Sequence, residues 1–520
     1  MNVFSQHRAA WKYRIAVDQA AANDATAQLL STRRDCQLAE DALALAAAKV
    51  EFLRAEVHLL EQRQTAADEQ LARSRAASLR IVVSNLPDDI LRCIFTCCAE
   101  IPDTMWTELG NGSFNRGRAL LPFSIAAVCT RWRRVALDYG GLWTYLSLPA
   151  TVAVAQRDSH YRRIDQLLSR SQTYSLDVFL YLKALDSSVE DSSWAGKVLS
   201  AVSLHARRWR RVEMAFPKLA SRSLAGAFKG PLPRLKQLSL RSRDWLDRQG
   251  EDSFFLPHAP LLEDLDLSNT GMTVSPVHEG FPSLVSITVT DDMTAESLQQ
   301  LLEMSKTTVE VLQLGLKFGD PIPSSLSLPR LHTLVLHLGL FFVTLQGTVI
   351  LNAPMLSSLT LQSADFMYDD DLSALLEHVS ATVTELTLYG IVDEDSVDTL
   401  TRLRSLSHVV FGNGTFSCDV YDPFFVALSK QVPPVWPRLE SIVFYHGEVI
   451  PSNGDGIVRL VAARNAPSHS APPSSVEETD LSERPCRIQE VELPDNEDTP
   501  QWLADEVDRL LGNTDWTCNP

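Results

Sequence analysis

Between Trp209 and Leu493 the chain repeats one short pattern. An aliphatic residue is followed by a second three positions on and a third two positions after that. The units are Leu235, Leu238, Leu240; Leu262, Leu265, Leu267; Leu284, Ile287, Val289; Val309, Leu312, Leu314; Leu331, Leu334, Leu336; Leu356, Leu359, Leu361; Val383, Leu386, Leu388; Leu406, Val409, Phe411; and Leu439, Ile442, Phe444. Their first positions are spaced 27, 22, 25, 22, 25, 27, 23 and 33 residues apart. Trp209, Val212 and Met214 form an earlier unit, and Ile488, Val491 and Leu493 a late one. The last two positions alternate with polar residues, as in a strand with one buried face. Pro233, Pro260, Pro282, Pro329, Pro354 and Pro437 each stand before a first position, where proline suits strand entry. Helix-like runs, Ala295–Met304 and Asp370–Val379, separate some units. Three buried aliphatics give roughly 4.5–9 kcal/mol gross. Ordering about 25 residues costs roughly 25–50 kcal/mol. A single unit therefore cannot stand alone, whereas a stack that shares one core can.

Strand plus helix or turn at a period near 20–29 residues resembles the leucine-rich repeat. The family's asparagine position is mostly missing, with Ser268-Asn269 a near match, so the expected array is a degenerate α/β solenoid over residues 149–460. A propeller is disfavoured, because its tryptophan–aspartate marks are absent.

Residues 1–82 predict a long helix. No Gly or Pro occurs before Pro87, and Ala, Leu, Arg, Glu and Gln are strong helix formers. Ile15, Ala22, Leu29, Cys36, Leu43, Val50 and Val57 are seven apart; Gln64 interrupts and Leu71 resumes the row. Three positions later run Asp18, Ala25, Thr32, Ala39, Ala46, Leu53, Leu60 and Ala67. This is an a/d seam. Such a stripe is covered either by a second copy, making a homodimeric coiled coil, or by the chain itself.

Residues 84–148 predict a small all-α cluster. Ser84-Asn85-Leu86-Pro87-Asp88-Asp89 opens a helix with cap, proline and acidic first turn. Ile90, Leu91, Ile94, Phe95 and Cys98 fall at helical spacing, as do Ile125, Val128, Cys129, Trp132, Val135 and Ala136 before Gly140-Gly141. The pairs Leu86-Pro87, Ile90-Leu91, Ile94-Phe95, Val128-Cys129, Trp132-Arg133 and Leu142-Trp143 resemble the F-box, in order and in chemistry. The Gly/Asn-rich stretch 101–120 departs from that family and reads as an inserted loop. The resemblance implies binding of a Skp-type adaptor and, through it, of cullin and RING subunits. The implied adaptor set is Leu86, Pro87, Ile90, Leu91, Ile94, Phe95, Val128, Cys129, Trp132, Leu142 and Trp143. Within it, Trp132 is expected in the core, and Leu86, Pro87 and Phe95 at the interface.

Forty-seven basic and 65 acidic residues leave a net charge of −18, which argues against nucleic-acid binding through bulk phosphate neutralisation. The strongest basic cluster, Arg207-Arg208-Trp209-Arg210-Arg211, encloses a tryptophan at a repeat core position. Eight cysteines without a CxxC suggest reduced thiols in a cytoplasmic or nuclear protein. Cys93, Cys97, Cys98 and Cys129 lack zinc-ligand spacing and read as small buried apolar residues. No signal peptide or membrane-length apolar run stands out. There is no GxSxG, HExxH, GxGxxG or complete phosphate loop, so no catalytic residue, cofactor or metal is expected.

Residues 461–484 read as an acidic, Ser/Pro-rich disordered insert. Residues 485–520 supply a last repeat strand and an amphipathic cap through Trp502, Leu503, Val507, Leu510 and Leu511. The expected protein is thus multidomain, α plus α/β. By the resemblance it is a non-catalytic substrate receptor of an SCF-type ubiquitin ligase, with a protein target on the repeat surface. The alternative is a coiled-coil and repeat scaffold without a ubiquitin role.

Overall fold

The computed structural model describes residues 3–100, 115–149, 152–182, 189–216, 227–242, 254–268, 273–274, 280–290, 293, 295–315, 325–338, 350–363, 370–412, 418–420, 422–431, 434–445, 455–465, 485–493 and 499–512. The chain divides into two units, residues 1–90 and 91–520.

In the first unit, α1 (Val3–Asn85) runs unbroken for 83 residues, about 125 Å at 1.5 Å per residue. Its polar side chains satisfy one another locally. Gln28 Nε2 donates to Asp24 Oδ2 at 3.1 Å, and Arg54 Nη1 to Glu51 Oε1 at 2.7 Å. Residues 7–76 are exposed along the whole length, and Leu43 keeps 72% of its surface open. The apolar stripe is therefore uncovered.

The second unit begins inside α2 (Asp88–Glu100), whose first-turn Asp88 and Asp89 suit the positive helix end. Next come α3 (Arg116–Ala127) and α4 (Thr130–Asp138). Of the expected loop 101–120, residues 116–120 are helical, because α3 starts at Arg116; residues 101–114 lie outside the described residues. Asn115 Oδ1 accepts the Arg118 N–H at 2.9 Å and caps it. The expected single apolar face over 125–136 is split in two at Val128–Cys129. There Cys129 Sγ accepts the Trp132 N–H at 3.4 Å and caps α4. Gly140 then lets the chain pass close to Tyr174; a Cβ there would lie 2.8 Å from the ring.

Thirteen parallel strands follow, joined side by side in chain order. The first four are β1 (Tyr145–Leu148), β2 (Leu176–Tyr181), β3 (Trp209–Phe216) and β4 (Gln237–Ser242). The next five are β5 (Asp264–Ser268), β6 (Ser286–Val289), β7 (Val311–Leu314), β8 (Thr333–Leu338) and β9 (Ser358–Ser363). The last four are β10 (Glu385–Val392), β11 (His408–Phe411), β12 (Ser441–Phe444) and β13 (Glu490–Glu492). A fourteenth strand, Cys418–Val420, pairs with the end of β10.

The repeat positions stand directly opposite one another. Val212, Leu238, Leu265, Ile287, Leu312, Leu334, Leu359, Leu386, Val409, Ile442 and Val491 make one continuous row. All of these but Val491 are buried. One-residue slips are excluded, since a slip would turn the whole row to the opposite face.

Two strands precede Trp209, where the first repeat unit read from the sequence begins. Leu146 pairs with Val178, and Val178 with Val212. The sheet therefore starts inside residues 84–148, and a boundary at 148/149 cuts just behind its first strand. The outward face of these strands is covered too: Ala119 of α3, Tyr145 and Phe179 form a buried cluster, with the two rings 5.3 Å apart.

At the other end a helix occupies Asp455–Asn465, so residues 461–465 are helical and not part of a disordered insert. Residues 466–484 lie outside the described residues. The closing helix Gln501–Leu511 buries Leu503 and Val507 and stops at Gly512, φ +82°, a left-handed cap that glycine adopts freely. Trp502 is half exposed, at 50%, and stands off the apolar face assigned to it.

Candidate functional site

The residues expected to meet an adaptor separate into two groups. Leu91, Phe95, Leu142 and Trp143 are at most 2% exposed and build the interior. This corrects the placement of Phe95 at an interface. Its ring meets Trp132 edge-to-face at 5.3 Å, and Trp132 is itself half-buried. Trp143 donates through Nε1 to the Ala136 carbonyl at 2.7 Å, meets Phe123 edge-to-face at 5.3 Å and carries the Arg170 guanidinium 4.4 Å above its ring. Four apolar or aromatic side chains so enclosed cannot touch another protein without unfolding the cluster.

The second group is open. In the second unit, Ile94 is 38% and Val128 59% exposed, and Cys129 is exposed. In the first unit, Pro87 is exposed, Leu86 half-buried and Ile90 47% exposed. Ile90 and Ile94 are one helical turn apart on α2, as are Leu91 and Phe95. The helix thus carries two apolar stripes, one inward and one outward. Cys93 and Cys97 also face solvent, which overturns their reading as buried apolar residues.

Residues outside the motif hold these helices. Arg118 reaches back from α3 and donates to the Cys98 and Ala99 carbonyls, satisfying orphan acceptors at the end of α2. Thr96 Oγ1 stands 2.8 Å from Tyr139 Oη, tying α2 to the end of α4.

A second candidate surface is the open face of the sheet. Side chains between the buried ladder positions point there, and they also form a row in register: Glu213, Ser239, Asp266, Thr288, Gln313. A groove of about 280 Å³ runs over β2–β6 and is lined by polar groups including Arg211, Glu213, Gln237, Ser239, Asp264 and Asp266. Its polar groups are ordered from strand to strand. Ser239 Oγ donates to Asp266 Oδ2 at 2.7 Å, Arg241 Nη2 to the same oxygen at 3.1 Å, and Gln237 Nε2 to Asp264 Oδ2 at 2.8 Å. Further along, the row passes through Val335, Thr360 and Thr387 and reaches buried valines, Val410 and Val443 at 8% and 6% exposure. The alternation rule applied to the skipped positions identifies this surface.

Arg208, Arg210 and Arg211 of the basic cluster are engaged within the chain. Asp177, buried on β2, takes a two-pronged contact from Arg210, Nε at 2.9 Å and Nη2 at 2.7 Å. That bond raises the Arg210 pKa above its ordinary value. Arg211 stands 3.6 Å from the same carboxylate. Arg208 donates to the Tyr174 carbonyl and the Ser171 hydroxyl. Trp209 is buried against Phe228.

Among the described residues no three His, Cys, Asp or Glu side chains come together as a metal-ion set, and no helix is long and apolar enough to cross a membrane. No protein-family model matches the sequence, and no curated protein matches it.

Proposed function

We propose that the chain is the substrate-recognition subunit of an SCF-type ubiquitin ligase, working in the cytoplasm or nucleus. Residues 84–148 are its F-box, and the parallel array is a leucine-rich-repeat-like solenoid. One observation carries the reading: α2 places Ile90 and Ile94 in solvent while Leu91 and Phe95 hold the interior. A helix with two apolar stripes suits a domain completed by another protein's helices, since a few large apolar anchors dominate such an interface. In the second unit Ile94 and Val128 supply anchors, supported from behind by Leu91, Phe95, Trp132, Leu142 and Trp143; the F-box resemblance adds Pro87 and Ile90. The target is a protein held on the polar open face of the sheet. This subunit contributes proximity and orientation, and the chemistry belongs to the other subunits.

The test is co-purification of the full chain with a Skp-type adaptor. The double variant Ile90→Asp/Ile94→Asp is expected to abolish capture while leaving the circular dichroism spectrum unchanged. Removing residues 84–148 is a poor control, because it deletes β1. If the intact protein captures no adaptor, the reading fails and a ubiquitin-independent scaffold takes its place.

A further inference from the structure

The exposed stripe of α1 needs a cover, and its charges specify which one. We infer that α1 pairs with α1 of a second copy of this chain in antiparallel orientation, centred on residue 48. This inference is independent of the ligase reading.

The argument starts from the flanks of the seam. In a parallel dimer of identical chains, twofold symmetry fixes the helices in register. Each g position then meets the e position five residues later on the partner. Asp35 would meet Glu40, Lys49 would meet Arg54, and Glu56 would meet Glu61. Each like-charge pair would occur twice, against one favourable pair, Arg63 with Asp68.

Antiparallel pairing sets g against g and e against e. With Leu43 opposite the second copy's Leu53, Asp35 meets Arg63, Arg33 meets Glu61, and Glu40 meets Arg54. Each favourable pair occurs twice, and the one like-charge meeting is Lys49 with itself. A shift of one heptad in one direction sets Asp35 against Glu56 and Arg33 against Arg54. A shift in the other direction sets Glu40 against Glu61 and makes two favourable pairs, Arg33 with Asp68 and Lys49 with Glu56, against three in the centred register.

The core agrees independently. Parallel pairing stacks Ala39 on Ala39 and Ala46 on Ala46, layers too small to fill the seam. In the antiparallel register Val57 faces Ala39, Val50 faces Ala46, and Leu29 faces Ala67, so large meets small in these three layers, with Leu43 on Leu53 and Cys36 on Leu60 in the same seam. The two polar intrusions, Gln64 and Thr32, face each other.

The helix surface provides a receptor for one of these knobs. A groove of about 310 Å³ lies along α1 between Val50, Leu53 and Val57 and is flanked by Arg54 and Glu61. The second copy's Leu43 enters at the level of Leu53. Its Glu40 and Arg33 reach the two charged flanks.

The test is sedimentation equilibrium of the full chain at micromolar concentration, with a double-variant cycle at Glu40 and Arg54. A species of twice 57.8 kDa is expected. Glu40→Arg and Arg54→Glu are each expected to weaken it about tenfold, because two attractions become two repulsions. The double swap is expected to return close to the starting affinity. A parallel dimer responds with the opposite sign, since Glu40→Arg would relieve the clash with Asp35 and tighten the pair. Leu60→Cys adds a structural readout: on oxidation, the introduced thiol is expected to bond to Cys36 of the second copy, identified by peptide mapping. A monomer, a tighter Glu40→Arg dimer, or a Cys36–Cys36 disulfide would overturn the inference.

Discussion

Asn465 and Ile488 exchange two hydrogen bonds across 23 residues of sequence. The Asn465 amide donates through Nδ2 to the Ile488 carbonyl at 2.9 Å, and its Oδ1 accepts the Ile488 N–H at 2.9 Å. The same Nδ2 lies 3.3 Å from the Leu510 carbonyl. One side chain thus plays the part of a missing strand partner and ties the last strand to the closing helix.

Asn465→Ala strands a buried Ile488 N–H and carbonyl, at a cost of about 2–4 kcal/mol. In a stack whose units contact only their neighbours, such a loss stays local. Hydrogen exchange is expected to speed up in residues 485–493 and 499–512 and to stay unchanged at 237–289. Uniform acceleration along the chain would contradict this.

The two stripes of α2 predict opposite phenotypes. Phe95→Ala removes a fully buried ring from Trp132 and is expected to cost about 3–5 kcal/mol. Ile94→Asp, at a site 38% exposed, is expected to cost about 1 kcal/mol. Urea titration of both variants decides the matter; equal losses would mean that the inward and outward faces are misassigned.

Arg210→Ala leaves the buried Asp177 carboxylate with Arg211 alone, 3.6 Å away. Breaking such a pair is expected to cost about 3 kcal/mol. Arg210→Lys should recover little, because an ammonium cannot reproduce the two-pronged contact. Urea titration checks both variants, and full recovery by lysine would show that charge alone matters.

His337 has its pKa held below the ordinary 6.5, chiefly by burial, with a hydrogen bond to Gln362 acting in the opposite direction. Gln313 Nε2 lies 2.7 Å from its ring Nε2. Below pH 6.5 the unfolded chain takes up a proton that the folded state resists. Stability therefore falls as pH drops through 6.5 and levels off below the folded pKa. His160 and His205 are lowered in the same sense, again mainly by burial, so His337→Gln should flatten the loss only in part. Melting temperatures between pH 7.5 and 5 test this; an identical slope in the variant would remove His337 from the account.

The sequence made the array legible from Val212 onward, because each strand is buried on one face and announces itself by alternation. It hid β1 and β2. Leu176–Tyr181 is buried at five of its six positions, since α3 covers the outward face there. A strand buried on both sides has no period to read. The residues proposed for an adaptor could not be sorted into inward and outward ones from the sequence, for Ile90/Ile94 and Leu91/Phe95 share the same four-residue spacing. Arg118 and Asn465 left no signal, because each acts on backbone atoms distant in sequence. The long helix was plain from the absence of Gly and Pro before Pro87.

The array finishes differently at its two ends. At the first strand all four residues are buried, and the Ser147 carbonyl accepts from Arg163 at 2.6 Å. At the last, Glu490 and Glu492 stand exposed, with Glu490 receiving the Ser441 hydroxyl at 2.8 Å. A foreign strand seeking that rim meets carboxylates in place of aliphatics, a device that blocks edge-to-edge polymerisation. The protein can thus keep more than a dozen parallel strands in one sheet and still remain a particle of fixed length.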